Sequence, residues 1–190
     1  MSYQYNCGMN TKSVAGQAIS FLDPTMDADV AWAKRQETIR GVLKLFRVIV
    51  AGARQHAEAI QRDFGITAAQ YWILSELARA PGSRPLDVAK AIAMHVSSAH
   101  AALDELQRLD LIAVSSAGDT PKSTRWAITE RGRYLLGVSD LPARGSVGAA
   151  LHEMDDHSIV TLAGGLQTLV GAMRFKDGAA ALTPLSDLLG

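Results

Sequence analysis

The sequence predicts a mainly α-helical protein whose run of helices is interrupted once by a short β-hairpin. Two periodicities and the punctuation between them lead there. Apolar residues recur every three or four positions within 42–60, 86–106 and 159–173, the spacing of one helix face. The stretches "LIAVSSA" (111–117) and "STRWAIT" (123–129) are instead β-branched or alternating, and they flank the turn-forming "GDTP". Gly65, Pro81, Gly82 and Pro142 lie between the periodic segments, where glycine and proline end elements.

Residues 1–26 are polar, contain glycine and serine and hold no sustained period, which predicts a mobile tail. From Asp27 to Asp63 no proline intervenes, and Val42, Leu43, Phe46, Ile49, Val50, Ala53, Ala57 and Ile60 share a stripe, so this is one long amphipathic helix. Gly65 ends it. Thr67 with Gln70 is a capping-box pair opening a second helix, "AAQYWILSELARA", closed by Pro81 and Gly82. A short third helix runs from Arg84 to Ile92, with Pro85 in its first turn and Leu86, Val88, Ala89 and Ile92 as packing positions. After the turn "AMH", a fourth helix packs through Ala99, Ala102, Leu103 and Leu106 and turns Ser97, Ser98, Ala101 and Asp104 elsewhere. The hairpin follows, with Trp126 as its core residue. Thr129 then caps a helix over "ERGRYLL", and a last helix covers about 156–175, with Ile159, Leu162, Leu166, Leu169 and Met173 forming a helix-packing seam. Gly145, Gly148, Gly164, Gly165 and Gly171 lower helix propensity in this region by about 1 kcal/mol each. Either they admit a close helix crossing, or the chain breaks near "DLPARGSVG", as Pro142 favours.

Composition bounds the function classes. With 19 basic and 19 acidic residues the net charge is zero, but the basic excess lies early: the first 62 residues carry +3, residues 84–133 carry +1 and residues 134–190 carry −3. A single cysteine, Cys7, excludes an intrachain disulfide framework and a multi-thiolate zinc cluster, and fits a reducing compartment. The start lacks a secretory pattern, and the longest apolar stretch, 159–173, is too short for a bilayer and holds Gln167. A cytoplasmic protein with no membrane partner is expected. Glycine-rich phosphate loops, nucleophile elbows and complete metal motifs are absent from the sequence, so no enzyme activity and no cofactor are expected. In "HEMDDH" (152–157), His152 and Asp156 stand four residues apart, a partial metal pattern outweighed by a possible helix break between them; no metal site is assigned. Cys7 has no basic neighbour nearer than Lys12 to activate it.

The order of long helix, helix, helix-turn-helix, two-stranded wing and further helices is that of a winged helix-turn-helix. Three stretches in sequence, "FGITAAQYWILSEL", "DVAKAIAMHVSSAHAALDELQRLDLI" and "WAITERGRYLL", resemble the MarR family of regulators over roughly residues 30–175. The resemblance implies a homodimer formed by the N- and C-terminal helices (27–63 and 137–178), a DNA-binding winged lobe (64–136) and tails at 1–26 and 179–190. It implies a transcription regulator, a ligand-responsive repressor, reading a palindromic operator in double-stranded DNA. Ser97, Ser98, His100 and His95 would face base edges, while Lys90, Lys122, Arg125 and Arg84 would meet phosphates. Several family positions differ. Val96 and Ala101 stand where arginine is common, Asp110 where glycine is usual, and Thr120, Pro121 and Lys122 where the wing carries Asp-Arg-Arg. With so few cations the competing expectation is a dimeric winged-helix interaction module that has lost specific DNA binding. The resemblance also implies a small aromatic or carboxylate effector between the dimerisation helices and the lobe. Arg40 and Arg47 at the edge of the apolar stripe, Phe46 within it, and Tyr71 or Trp72 across the crevice are its candidate contacts.

Overall fold

The computed structural model describes residues 28–118, 120, 123–183 and 185. The expected N-terminal tail with Cys7, and Lys122 in the wing, lie outside the described residues. The chain divides between Lys44 and Leu45. On the N-terminal side, the described part is the first half of α1 (Ala28–Phe64), whose Val30, Trp32, Ile39, Val42 and Leu43 are exposed. All further description concerns the C-terminal unit.

Its order is the second half of α1, α2 (Ala68–Arg79), α3 (Pro85–Ala91), α4 (Val96–Arg108), β1 (Ile112–Ser116), β2 (Arg125–Ile128), α5 (Glu130–Gly137), α6 (Gly145–Glu153) and α7 (Asp156–Ala172). This is the winged helix-turn-helix that the pattern predicts. Among the described residues, no helix is long and apolar enough to cross a membrane.

Local chemistry accounts for the boundaries. Gly65 takes φ +70° and its N–H reaches the Gln61 carbonyl at 3.0 Å, closing α1 where glycine has no Cβ penalty. The predicted capping box is present: Thr67 Oγ1 accepts from the Gln70 N–H at 3.1 Å, and Gln70 Oε1 accepts from the Thr67 N–H at 2.8 Å. Pro85 opens α3, with Arg84 as its N-cap and the Asp87 carboxylate accepting the Arg84 N–H at 3.2 Å. Between α3 and α4 the chain turns through Ala93 at φ +53°, which lets the Met94 N–H return to the Ala89 carbonyl at 2.9 Å and buries Met94. Asp110 after α4 sits at φ +59°. The glycine that this position commonly holds in the family therefore has a backbone reason.

The core is one cluster. Ile73, Leu74 and Leu77 of α2 meet Val88 and Ala89 of α3, Ala99, Leu103 and Leu106 of α4, and Ile112, Trp126 and Ile128 of the wing. The strands pair antiparallel with Ile112 opposite Ile128 and Val114 opposite Trp126, and the register slips between Val114 and Ser116. A third edge comes from the α2–α3 loop. Trp126 donates its N–H to the Ser83 carbonyl at 3.0 Å and accepts from the Gly82 N–H at 2.8 Å. The base of the wing is stitched to α5 by Thr129, whose hydroxyl donates to the Asp110 carbonyl at 2.9 Å and accepts from the Gly132 N–H at 3.1 Å. Gly132 is required there, since a Cβ would lie 2.3 Å from the Leu111 carbonyl oxygen and 2.7 Å from Ile128 Cγ1.

After the wing the structure departs from the sequence expectation. Three helices follow, not two: the chain breaks at 138–144, α6 was not anticipated, and α7 ends at Ala172 rather than near 175. Of the two readings of the glycines, the break near Pro142 is the one observed. Its cause is local, because the Pro142 carbonyl accepts the N–H of Gly145, which sits at φ +78°. Asp155 then caps α7 by accepting the Ser158 N–H at 2.9 Å. His152 and Asp156 thus belong to different helices, so the shared face expected of them does not exist. Within the stretch expected as a C-terminal tail, Gly178–Leu182 begins as a short 3-10 turn.

Gly132→Ala should destabilise the protein by about 1–3 kcal/mol through overpacking against Leu111 and Ile128, measured as a lower urea midpoint at unchanged m-value. Asp110→Gly should act oppositely, raising stability by up to about 1 kcal/mol, since it relieves a left-handed backbone and removes an anion from the C-terminal end of α4.

Candidate functional site

Two regions gather the residues singled out by the sequence. The first is the exposed side of the helix-turn-helix. Helix α4 buries Ala99, Leu103 and Leu106 against the core, which turns Ser97, Ser98, Ala101 and Asp104 outward as their spacing predicts. His95 is the N-cap and is exposed, but its side chain makes no capping bond, so the first amides of α4 keep unsatisfied donors at a positive dipole end. His100 is half-buried and lines a shallow depression with Arg84, Leu86 and Val96. Lys90 projects from the last turn of α3, exposed.

The two arginines expected here are held by the protein itself. Arg84 grips Asp87 through Nε at 3.0 Å and Nη2 at 3.1 Å, and this hydrogen bonding holds the Asp87 carboxyl below its ordinary range. Arg125 donates from Nη1 to the Gly82 carbonyl at 2.8 Å, bracing the wing against the α2–α3 loop. Both side chains remain exposed, so an anion can still approach their outer edges.

The second region is a cavity of about 200 Å³ between the C-terminal half of α1, the start of α2, and the segment 143–148 that leads into α6. Ala53 and His56 of α1, Ala68, Ala69 and Trp72 of α2, and Arg144 and Gly145 form most of its wall. Its polar groups are unusual. His56 is only 8% exposed, and its Nε2 is buried without a hydrogen-bond partner. The Nε1 of Trp72 is likewise buried and unpartnered. Desolvation lowers the His56 pKa, favouring the neutral ring. Arg144 lies 3.8 Å from the buried Glu76 carboxylate, which Arg79 also binds, and it hydrogen-bonds the Nε2 of His152. Among the described residues, no carboxylate lines the cavity.

Of the sequence-predicted effector contacts, the structure brings one to this cavity, Trp72. Tyr71 turns into the core instead, stacked on Phe64 with ring centroids 5.8 Å apart, and its hydroxyl donates to the Leu141 carbonyl at 3.3 Å. Phe46 is half-buried and Arg47 exposed, and neither lines the cavity. Arg40 lies in the N-terminal unit. His56 and Arg144 were missed. For His56 a signal existed: it falls three residues after Ala53 and four before Ile60, on the apolar stripe itself, where a titratable ring is out of place. Arg144 had none, because its position depends on how the chain breaks after α5.

The MarR family model matches residues 64–120, the segment from the end of α1 to the wing. This stretch of the winged lobe is similar to the MarR family. No curated protein matches the chain significantly in sequence. Among solved structures, the chain is similar to the multiple antibiotic-resistance repressor MarR of Listeria monocytogenes, at 18% identity over 77% of this chain and 100% of that one, with a TM-score of 0.42. It is also similar to Streptococcus pneumoniae FabT in complex with DNA, at 16% identity over 71% and 94%, with a TM-score of 0.45. A Mycobacterium tuberculosis MarR family protein in complex with p-aminosalicylic acid matches at 22% identity over 68% and 96%, with a TM-score of 0.42. Within the matched segment lie Ser97, Ser98 and His100 of α4, its N-cap His95, and Lys90; Arg125 falls just beyond it.

The cavity has a stability signature. Because burial lowers the pKa of His56 from its ordinary 6.5, the unfolded chain binds more protons than the folded one as pH falls through that value. The stability due to the neutral ring is therefore complete above this range and is lost on acidification. Urea midpoints at about pH 7.5 and about pH 5.5 should differ less for His56→Gln than for the wild-type protein.

Proposed function

We propose that the protein is a DNA-binding transcription regulator that acts as a homodimer on a palindromic operator and is a repressor released by a small-molecule effector. The observation that carries this reading is a winged lobe similar to the MarR family, with α4 held against a closed core, Ser97 and Ser98 turned to solvent and His100 half-buried beside them. Hydroxyl and imidazole groups can discriminate base edges without a guanidinium. Phosphate affinity then rests on Lys90, on Lys122, on the outer edges of Arg84 and Arg125, and on the uncapped amides of α4. With so few cations, affinity is low and falls steeply with salt.

Self-association is supported by what a single copy leaves uncovered. Helix α7 buries none of its residues, and Ile159, Val160, Leu162, Leu166, Leu169, Val170 and Met173 are exposed. Leu45, Val48, Ile49 and Val50 of α1 are exposed as well. Apolar surface on this scale marks an interface, and in a homodimer two lobes would present their α4 helices about one DNA turn, roughly 34 Å, apart. An effector in the Trp72 cavity would act by favouring a lobe spacing that no longer fits successive grooves.

The commitment of Arg84 and Arg125 to Asp87 and Gly82 favours one second reading, a dimeric winged-helix module without specific DNA binding. Sedimentation and a gel shift with the DNA upstream of its own gene, across a salt series, separate the two. The regulator should be dimeric at micromolar concentration and shift that DNA at low salt. Ser98→Ala should relax discrimination by about 1–3 kcal/mol at one base pair, whereas Lys122→Ala should weaken all sequences alike and reduce the salt slope by about one. A dimer that prefers no sequence would establish the second reading, and a monomer would sink both.

A further inference from the structure

We infer that the Trp72 cavity takes an anionic ligand together with one proton, which His56 accepts as the ligand binds. The inference rests on the effector reading and adds its chemistry. Two observations carry it. The cavity wall is mostly apolar, with the Trp72 indole and Ala53, Ala68, Ala69 and Ala143, so it accepts the body of a small aromatic molecule. Its buried polar nitrogens, His56 Nε2 and Trp72 Nε1, both lack partners, and a buried group of that kind is costly unless something completes it. The complement of an indole N–H is an acceptor. Trp72 can only donate, so the ligand must accept, and an acceptor that also satisfies His56 finds a donor there once Nε2 carries hydrogen.

The ring edge is placed for this. A Cβ on Gly145 would stand 3.7 Å from His56 Cδ2 and 4.0 Å from Nε2, so this edge faces the cavity lip where the chain enters α6, with no side chain interposed. Charge selects the sign of the ligand. Among the described residues, Arg144 is the charged one of the wall, and the carboxylates nearby are engaged: Glu76 by Arg79 and Arg144, and Glu58 by Arg54 on the exposed face of α1 at 3.4 Å. His152 of α6 hydrogen-bonds Arg144 and does not itself line the cavity.

An unliganded cavity keeps His56 neutral because burial opposes its charge. A bound anion reverses that balance by supplying a counter-charge in a poorly solvated place. The step is balanced simply: a ligand anion and a solvent proton enter, the proton goes to the imidazole, and a neutral anion–imidazolium pair occupies the cavity. No covalent bond changes. Affinity then rises as pH falls through the interval between the free and bound pKa of His56, approaching tenfold per pH unit.

Benzoate and its neutral analogue benzamide are the probes, titrated calorimetrically into the full-length protein between about pH 6 and about pH 8, in buffers of different ionisation enthalpy. Benzoate should bind with uptake of a proton and gain affinity toward acid, while benzamide should bind more weakly and independently of pH. His56→Gln, which keeps an amide donor but cannot ionise, should bind benzoate without proton uptake. Trp72→Phe should bind less tightly yet retain the uptake, and thermal melts of both variants establish that they fold. Benzoate binding without proton uptake, or with uptake unchanged in His56→Gln, overturns the inference and leaves a ligand cavity standing. Failure of both probes to bind the folded wild-type protein at millimolar concentration overturns the inference and the effector reading together.

Discussion

Burial in this chain is confined. Every buried residue among those described falls between Ala53 and Gly132, and the apolar positions on either side of that interval are half-buried or exposed in a single copy. The constraint is geometric. Leu74, Leu77, Leu103 and Leu106 close one compact cluster with the wing, and a two-stranded hairpin would not be stable without such backing. The lobe thus closes a core of its own, while α7 buries none of its residues in a single copy.

The same closure fixes the exposed side of α4. Because Ala99, Leu103 and Leu106 are fixed in the core, the opposite side of α4 is fixed too, and the turn through Ala93 and Met94 sets its angle against α3. At the other end, Thr129 joins Asp110 to Gly132, so the exit of α4, the root of the wing and the start of α5 move as one piece. Arg125 extends that rigidity toward the α2–α3 loop by its bond to Gly82. A cation held in this bracing bond presents less of its charge to solvent, which ties the low charge of this face to the way the wing is held.

The cavity stands at the border of the buried region. Its floor is the start of α2, rigid through its capping box, and its lip is the segment at Arg144 and Gly145, which no regular element holds on its N-terminal side. The contacts from Arg144 to Glu76 and His152 link that lip to both α2 and α6. A ligand touching His56, Trp72 and Gly145 would thus bear on α1, α2 and the entry to α6 together.

The sequence by itself determined the elements whose signals are local. Thr67 with Gln70, Pro85, Thr129 and Gly65 mark boundaries through hydrogen bonds and backbone angles spanning four residues or fewer, and the stripe of α4 dictates which of its residues face out. Two periodic runs and a turn were enough to place the wing. Beyond that reach the pattern was ambiguous. The glycines at 145 and 148 fitted a close helix crossing or a break, with Pro142 favouring the break, and only the packed chain, with Gly145 at φ +78° and the Pro142 carbonyl turned onto its N–H, decided for the break and for α6. Tyr71 and Trp72 are neighbours on one helix, about 100° apart, so the sequence allowed either to face the crevice. Phe64 and the Leu141 carbonyl claimed Tyr71 for the core and left Trp72 at the cavity. His56 and Arg144 met there for the same reason: 88 residues separate them in the chain, and no local preference can encode a contact made when α1 and the segment before α6 are brought together by the core between them.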